Sequence, residues 1–173
     1  YNSSFYFDEN GKYLNKQWKE IDGDWYYFKD GGYIAKNEWV DSYFIKGNGS
    51  MAKNEMQYDQ STSSSYYFKD DGTYAKNYWA KVGGYWYYFK GNGKVARKEW
   101  IENKYYVLDN GKMATGTHII DHYQYVFDGS GNILSKKAVD IGWVEKDGKR
   151  YFYNGASQRL GDETTKKVMD ISE

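Results

Sequence analysis

One phrase recurs along the chain: an aromatic run, a polar turn, a glycine and, seven residues after the glycine, a lone ring. It reads Trp25-Tyr26-Tyr27-Phe28, Gly32, Trp39, then Tyr66-Tyr67-Phe68, Gly72, Trp79, then Trp86-Tyr87-Tyr88-Phe89, Gly93, Trp100. A fixed period of about twenty residues belongs to an array of small supersecondary units rather than to one core. A repeated aromatic surface suits a ligand that is itself repetitive.

The turn glycines are Gly11, Gly32, Gly49, Gly72, Gly93, Gly111 and Gly131. Before each stands a run such as Phe5-Tyr6-Phe7, Tyr43-Phe44-Ile45 or Tyr125-Val126-Phe127, all with high strand propensity. The Asp-Gly, Asp-Asn-Gly and Gly-Asn-Gly steps between favour turns with positive φ. Two residues past each glycine comes Tyr13, Ile34, Met51, Tyr74, Val95, Met113 or Ile133. Each unit therefore reads as a β-hairpin made by the run, the glycine turn and this residue. A single hairpin is marginal in water, so neighbours must stack. The expected fold is all-β, a solenoid of stacked β-hairpins. One helical turn at most is expected, over 163–167.

With 7 Trp, 21 Tyr, 8 Phe and few aliphatic residues, rings must carry the packing. Lys+Arg and Asp+Glu balance at 24 each, so no basic field points to nucleic acid. No run approaches the roughly twenty apolar residues of a membrane-spanning helix, so direct insertion is not expected. Cysteine is absent, and no disulfide staples the array. The chain opens on Tyr1 inside a repeat and reads as a fragment.

Trp18, Trp39, Trp79 and Trp100 occupy the lone-ring slot, while Met56, His118 and Ala138 take it elsewhere. In Trp18–Trp25 and Trp79–Trp86 a second indole follows; after Trp39 and Trp100 its place goes to Ser42 and Lys104. Two complete aromatic cages are expected. A box of π faces suits a compact, weakly hydrated cation, above all a quaternary ammonium. Each face supplies about 0.5–2 kcal/mol, so three give roughly millimolar binding. Several sites on one polymer then gain through effective concentration. The same rings can equally serve as packing between hairpins.

Gly-Asp-Trp-Tyr-Tyr-Phe at 23–28, Gly-Gly-Tyr-Trp-Tyr-Tyr-Phe at 83–89, Gly-Lys-Met-Ala-Thr-Gly at 111–116 and the stretch from Gly142 to Tyr153 resemble choline-binding, cell-wall-binding repeats. The likeness covers residues 1–155. It implies sites between consecutive hairpins that hold choline or phosphocholine of teichoic and lipoteichoic acids, with no cofactor and no metal. By position, one site uses Trp18, Trp25 and Tyr43. A second uses Trp79 and Trp86 with Tyr105 or Tyr106. Trp39 with Tyr66, and Trp100, are further ligand positions that lack the second indole. Arg150 stands where that indole belongs beside Trp143, and a cation there leaves the site without function. The resemblance also implies a secreted protein at the bacterial surface, and ligand-dependent self-association in some relatives. Glucan-binding repeats have nearly the same aromatic grammar and form the alternative.

Residues 156–173 read as a linker and the start of a further domain. Lys166 to Glu173 resembles the opening strand of a glycoside hydrolase family 25 lysozyme, with Asp170 at the position of a site residue. The fragment itself reads as a binding module, not an enzyme. Asp8, Asp30, Asp70, Asp71, Asp109 and Asp128 recur at turns, where Asx side chains bond their own backbone. His118 and His122 lie in a strand-and-loop unit and are not expected to bind metal. Ser61 to Ser65 reads as a loop.

Overall fold

A computed structural model describes residues 5–154 and 159–162. The expected short helix and Asp170 lie outside these residues, as does the boundary expected at 155. Among the described residues the fold is all-β with no helix. The chain divides into two compact units, one ending at Arg97 and the other beginning at Lys98.

In the first unit β1 (Gln17–Ile21) pairs with β2 (Asp24–Phe28), and β3 (Glu38–Val40) with β4 (Tyr43–Ile45). Likewise β5 (Glu55–Asp59) pairs with β6 (Ser64–Phe68), and β7 (Tyr78–Val82) with β8 (Tyr85–Phe89). In the second unit β9 (Glu99–Ile101) pairs with β10 (Tyr105–Val107). Two three-stranded meanders follow: β11 (Gly116–Ile120), β12 (Tyr123–Phe127) and β13 (Ile133–Ala138), then β14 (Ile141–Lys146), β15 (Lys149–Asn154) and β16 (Arg159–Asp162). All pairings are antiparallel.

The expected hairpins form, but on the other side of the aromatic run. The run pairs chiefly with the lone-ring strand before it, through tight turns such as Asp22-Gly23 and Gly83-Gly84, where both residues have positive φ. Those are the backbone angles of type I′ turns, whose twist matches the flanking strands. The arm beyond the turn glycine is reduced to single bridges such as Phe28↔Ile34, Ile45↔Met51 and Phe68↔Tyr74. It stops short because the residue five past the glycine turns left-handed, at Asn37 (φ 50), Asn54 (φ 52) and Asn77 (φ 48). Asn tolerates that region better than most residues.

Successive hairpins pack against each other within a unit. In the first, Ala35, Ile45 and Met51 are buried against Trp18, Tyr27 and Tyr43. Phe44 stacks on Phe68 at 5.8 Å, beside Ala52 and Tyr66. The residue two past one glycine rests on the next turn glycine: a Cβ at Gly49 would meet Ile34 Cδ1 at 2.9 Å, and one at Gly32 would meet Tyr13 at 2.6 Å. Ala35, Ala52, Ala75 and Ala96, each three past a glycine, are buried, and each donates its amide to a carbonyl of its own run, as Ala35 does to Tyr27 at 2.9 Å. In the second unit Tyr106, Ala114, Ile120, Tyr125 and Phe127 form the corresponding core.

Candidate ligand cages

Trp18 lies directly opposite Tyr27 across the β1–β2 ladder, and Trp25 opposite Glu20. Side chains alternate along a strand and directly opposed residues share a face, so the two indoles project on the same side of the hairpin. The next hairpin presents Tyr43 to them, its ring 5.4 Å from Trp18 at an interplanar angle of 75°. Met51 is tied in by its amide, which donates to the Trp25 carbonyl at 2.8 Å. Together Trp18, Trp25, Tyr43, Met51 and Asp71 line a cavity of about 280 Å³. That is at the small end of ligand sites, which run from about 300 to 1,000 Å³, and suits a head group rather than an extended chain.

The chemistry of this cavity is soft and cation-loving. Three π faces and a polarizable thioether offer no donor that a methylated ammonium would leave unsatisfied. Asp71 adds a formal negative charge at the rim. Its Oδ1 accepts from the Thr73 hydroxyl at 2.6 Å and from the Thr73 amide at 2.9 Å. Those bonds, hydroxyl first, hold the carboxyl below the usual aspartate range, so it is ionised at neutral pH. The residues preceding the other turn glycines are Asn10, Gly31, Asn48, Asn92, Asn110 and Ser130, so Asp71 is the carboxylate of that slot. Sequence reasoning explained Asp71 as a turn residue alone; its singularity in the slot was the available signal.

The Trp39 position is built differently. Trp39 lies edge-on to Tyr66 at 5.0 Å and to Tyr74 at 5.6 Å, so a phenol ring sits where the first cage has Met51. The Trp39 indole also donates to Asp59 Oδ2 at 3.0 Å. Between β5–β6 and β7–β8, Met56 packs on a buried cluster of Ala80, Tyr87, Phe89 and Val95, and Ser65 stands where the second indole would be.

Trp79 packs on Tyr88 at 5.1 Å, and Trp86, 40% exposed, lies opposite Lys81. These two indoles belong to the first unit. Tyr105 and Tyr106 belong to the second, where Tyr106 packs on Trp100 at 5.1 Å and Lys104 Nζ lies 4.8 Å from the Tyr105 ring centre. Trp100, Asn103, Tyr125, Ile133 and Lys136 line a further cavity of about 280 Å³. Arg150 lies over Trp143 at 5.5 Å. His118 sits on β11 and donates from Nε2 to the Thr115 carbonyl at 2.8 Å, while His122 occupies the turn with φ 61.

Residues 94–132 match the choline-binding repeat family, and residues 16–34 and 77–95 match the family described as "Putative cell wall binding repeat". The structure superposes on the modular autolysin LytC of Streptococcus pneumoniae with a TM-score of 0.83 and 47% identity, over 91% of this chain and 36% of that one. Choline binding protein F of the same organism aligns with a TM-score of 0.50 and 28% identity, over 90% of this chain and 55% of that one. A curated relative described as "Putative endo-beta-N-acetylglucosaminidase" of Streptococcus pneumoniae is 33% identical over 64 residues, 37% of this chain and 10% of its own length. The chain thus spans a minor part of LytC and of that relative. Residues 16–34 and 77–132 thus carry repeats of the choline-binding, cell-wall-binding type.

Proposed function

We propose that the module binds choline of teichoic and lipoteichoic acids in cages between hairpins, and so anchors a peptidoglycan-cleaving enzyme at the bacterial surface. The observation that carries this reading is the convergence of Trp18, Trp25, Tyr43 and Met51 on one cavity. Two indoles, a phenol and a thioether form a weak but selective trap for a methylated ammonium. Trp79 and Trp86 supply a second pair of indoles on one hairpin. Weak individual sites become firm attachment when the polymer offers many head groups.

The test is retention on an immobilised quaternary amine with elution by free choline. Flow-through from the amine together with retention on dextran would transfer the module to the glucan-binding class. Calorimetric titration with choline then gives the number of sites.

For the longer protein we propose a lysozyme of glycoside hydrolase family 25, on the resemblance of 166–173, with Asp170 as a site residue of that enzyme and the repeats ending near residue 155. Hydrolysis of purified walls by a chain extended beyond Glu173, but not by residues 1–155, is the expected result. The protein is then secreted to the wall. Ligand-dependent self-association is read by sedimentation velocity with and without choline.

A further inference from the structure

The Trp100 cavity repeats the indole–phenol pair of the Trp18 cavity, without its second indole, and inverts it in charge. Trp100 and Tyr125 stand 5.1 Å apart at 61°, as Trp18 and Tyr43 stand 5.4 Å apart at 75°. Ile133, two residues past Gly131, takes the place that Met51 takes two past Gly49. The difference is Lys136, whose Nζ lies 4.0 Å from the centre of the Tyr123 ring and 5.5 Å from that of Tyr125. An ammonium at those distances is held by the ring faces in the way an external cation would be.

The backbone explains why a lysine reaches this cage. Lys136 is five residues past its turn glycine, the position at which Asn37, Asn54 and Asn77 turn left-handed and end the arm. At Lys136 the chain stays extended and β13 continues, which sets Lys136 directly opposite Tyr125 in the ladder. Directly opposed side chains share a face with Cβ atoms about 4.5–5.5 Å apart. The ammonium is therefore delivered by sheet register.

We infer that Lys136 is an internal substitute for the ligand: the chain's own cation stands in the wall of the Trp100 cage, held on the Tyr125 ring, and the cage refuses a quaternary ammonium while that charge is present. The two cations compete for the Tyr125 ring, and like charges repel at contact. The cage is a latent site, opened by loss of the Lys136 charge. This inference rests on the reading of the cages as choline sites, and its test separates the two.

Choline is titrated calorimetrically into the full chain, into Lys136→Gln, into Lys136→Arg and into Lys136→Gln with Trp100→Ala. The expected result is one additional equivalent bound by Lys136→Gln, none by Lys136→Arg, and loss of the gain when Trp100 is also removed. A stoichiometry in Lys136→Gln equal to that of the unaltered chain overturns the inference, as does an equal gain in Lys136→Arg or a gain that survives the removal of Trp100. If the unaltered chain takes up no choline while Lys136→Gln takes up one equivalent, the proposed function fails and the substitute role stands. If neither takes up ligand, both fail.

Discussion

Met51 rests on the α-carbon of Gly72: a Cβ at that glycine would meet the Met51 Cε at 2.5 Å and its Sδ at 2.8 Å. The turn glycine therefore serves as the seat of a residue that also lines the Trp18 cavity. Gly72 has φ +80 and Gly84 φ +86, but a Cβ at Gly84 would meet nothing within 4 Å. Replacement by Asn, which tolerates positive φ, separates conformation from contact. Gly84→Asn should cost only the strain of its positive φ, about 1 kcal/mol. Gly72→Asn should lower stability by about 1–3 kcal/mol through overpacking and weaken choline binding, both readable from urea unfolding and calorimetry.

Trp25 and Trp18 should differ in what their loss does. Trp25 is 40% exposed, whereas Trp18 packs at 5.3 Å on Tyr27 and 5.4 Å on Tyr43. Trp25→Ala is expected to weaken choline binding at this cage by about 0.5–2 kcal/mol with little change in melting temperature. Trp18→Ala should weaken binding and lower the melting temperature together. A Trp25→Ala chain that binds choline with unchanged stoichiometry and affinity would count against the cage.

Asp71 should matter for charge rather than for shape. Asp71→Asn keeps an oxygen that can accept from Thr73 and removes the carboxylate at the rim. Choline binding at low ionic strength should weaken, and its salt dependence should flatten, because screening acts only on the charge that has been removed. A neutral isostere carrying a tert-butyl group should bind both forms alike.

Asp59 links the lone-ring strand to a loop and gives the fold an acid-sensitive joint. Burial pushes its pKa up, but hydrogen bonds from Trp39, Ser61 and Thr62 outweigh burial and hold it below the ordinary aspartate value. A depressed value contributes stability that is complete above the unfolded value of about 3.9 and is lost as pH falls through the folded value. Asp59→Asn should therefore cost about 1–3 kcal/mol at pH 7. Urea unfolding repeated near pH 3 should show the difference shrinking.

Much of this was legible in the residues. The period, the all-β class and the ring slots follow from spacing alone, and Trp18, Trp25 and Tyr43 do line one cavity. The pairing partner of each run was not legible. Alternation says which side chains share a face, yet Tyr26 and Phe28 could ladder with the strand on either side. The choice lies in backbone angles, at Asp22-Gly23 on one side and Asn37 on the other. Recurrent Asn five residues past the glycine was the readable hint. The buried alanines three past five of the seven turn glycines were regular too, but small residues carry no face signal. Lys136 could not be placed, because its role depends on β13 continuing where other arms stop.

The seating of one hairpin's residue on the next hairpin's glycine gives the array a modular genetics. Ile34 on Gly49 and Met51 on Gly72 are the same joint cut from different parts. Excising a stretch between equivalent glycines would bring a new pair of mating surfaces of the same kind face to face. Such a chain can shorten or lengthen by whole repeats through unequal recombination, without any change to the rule by which it closes.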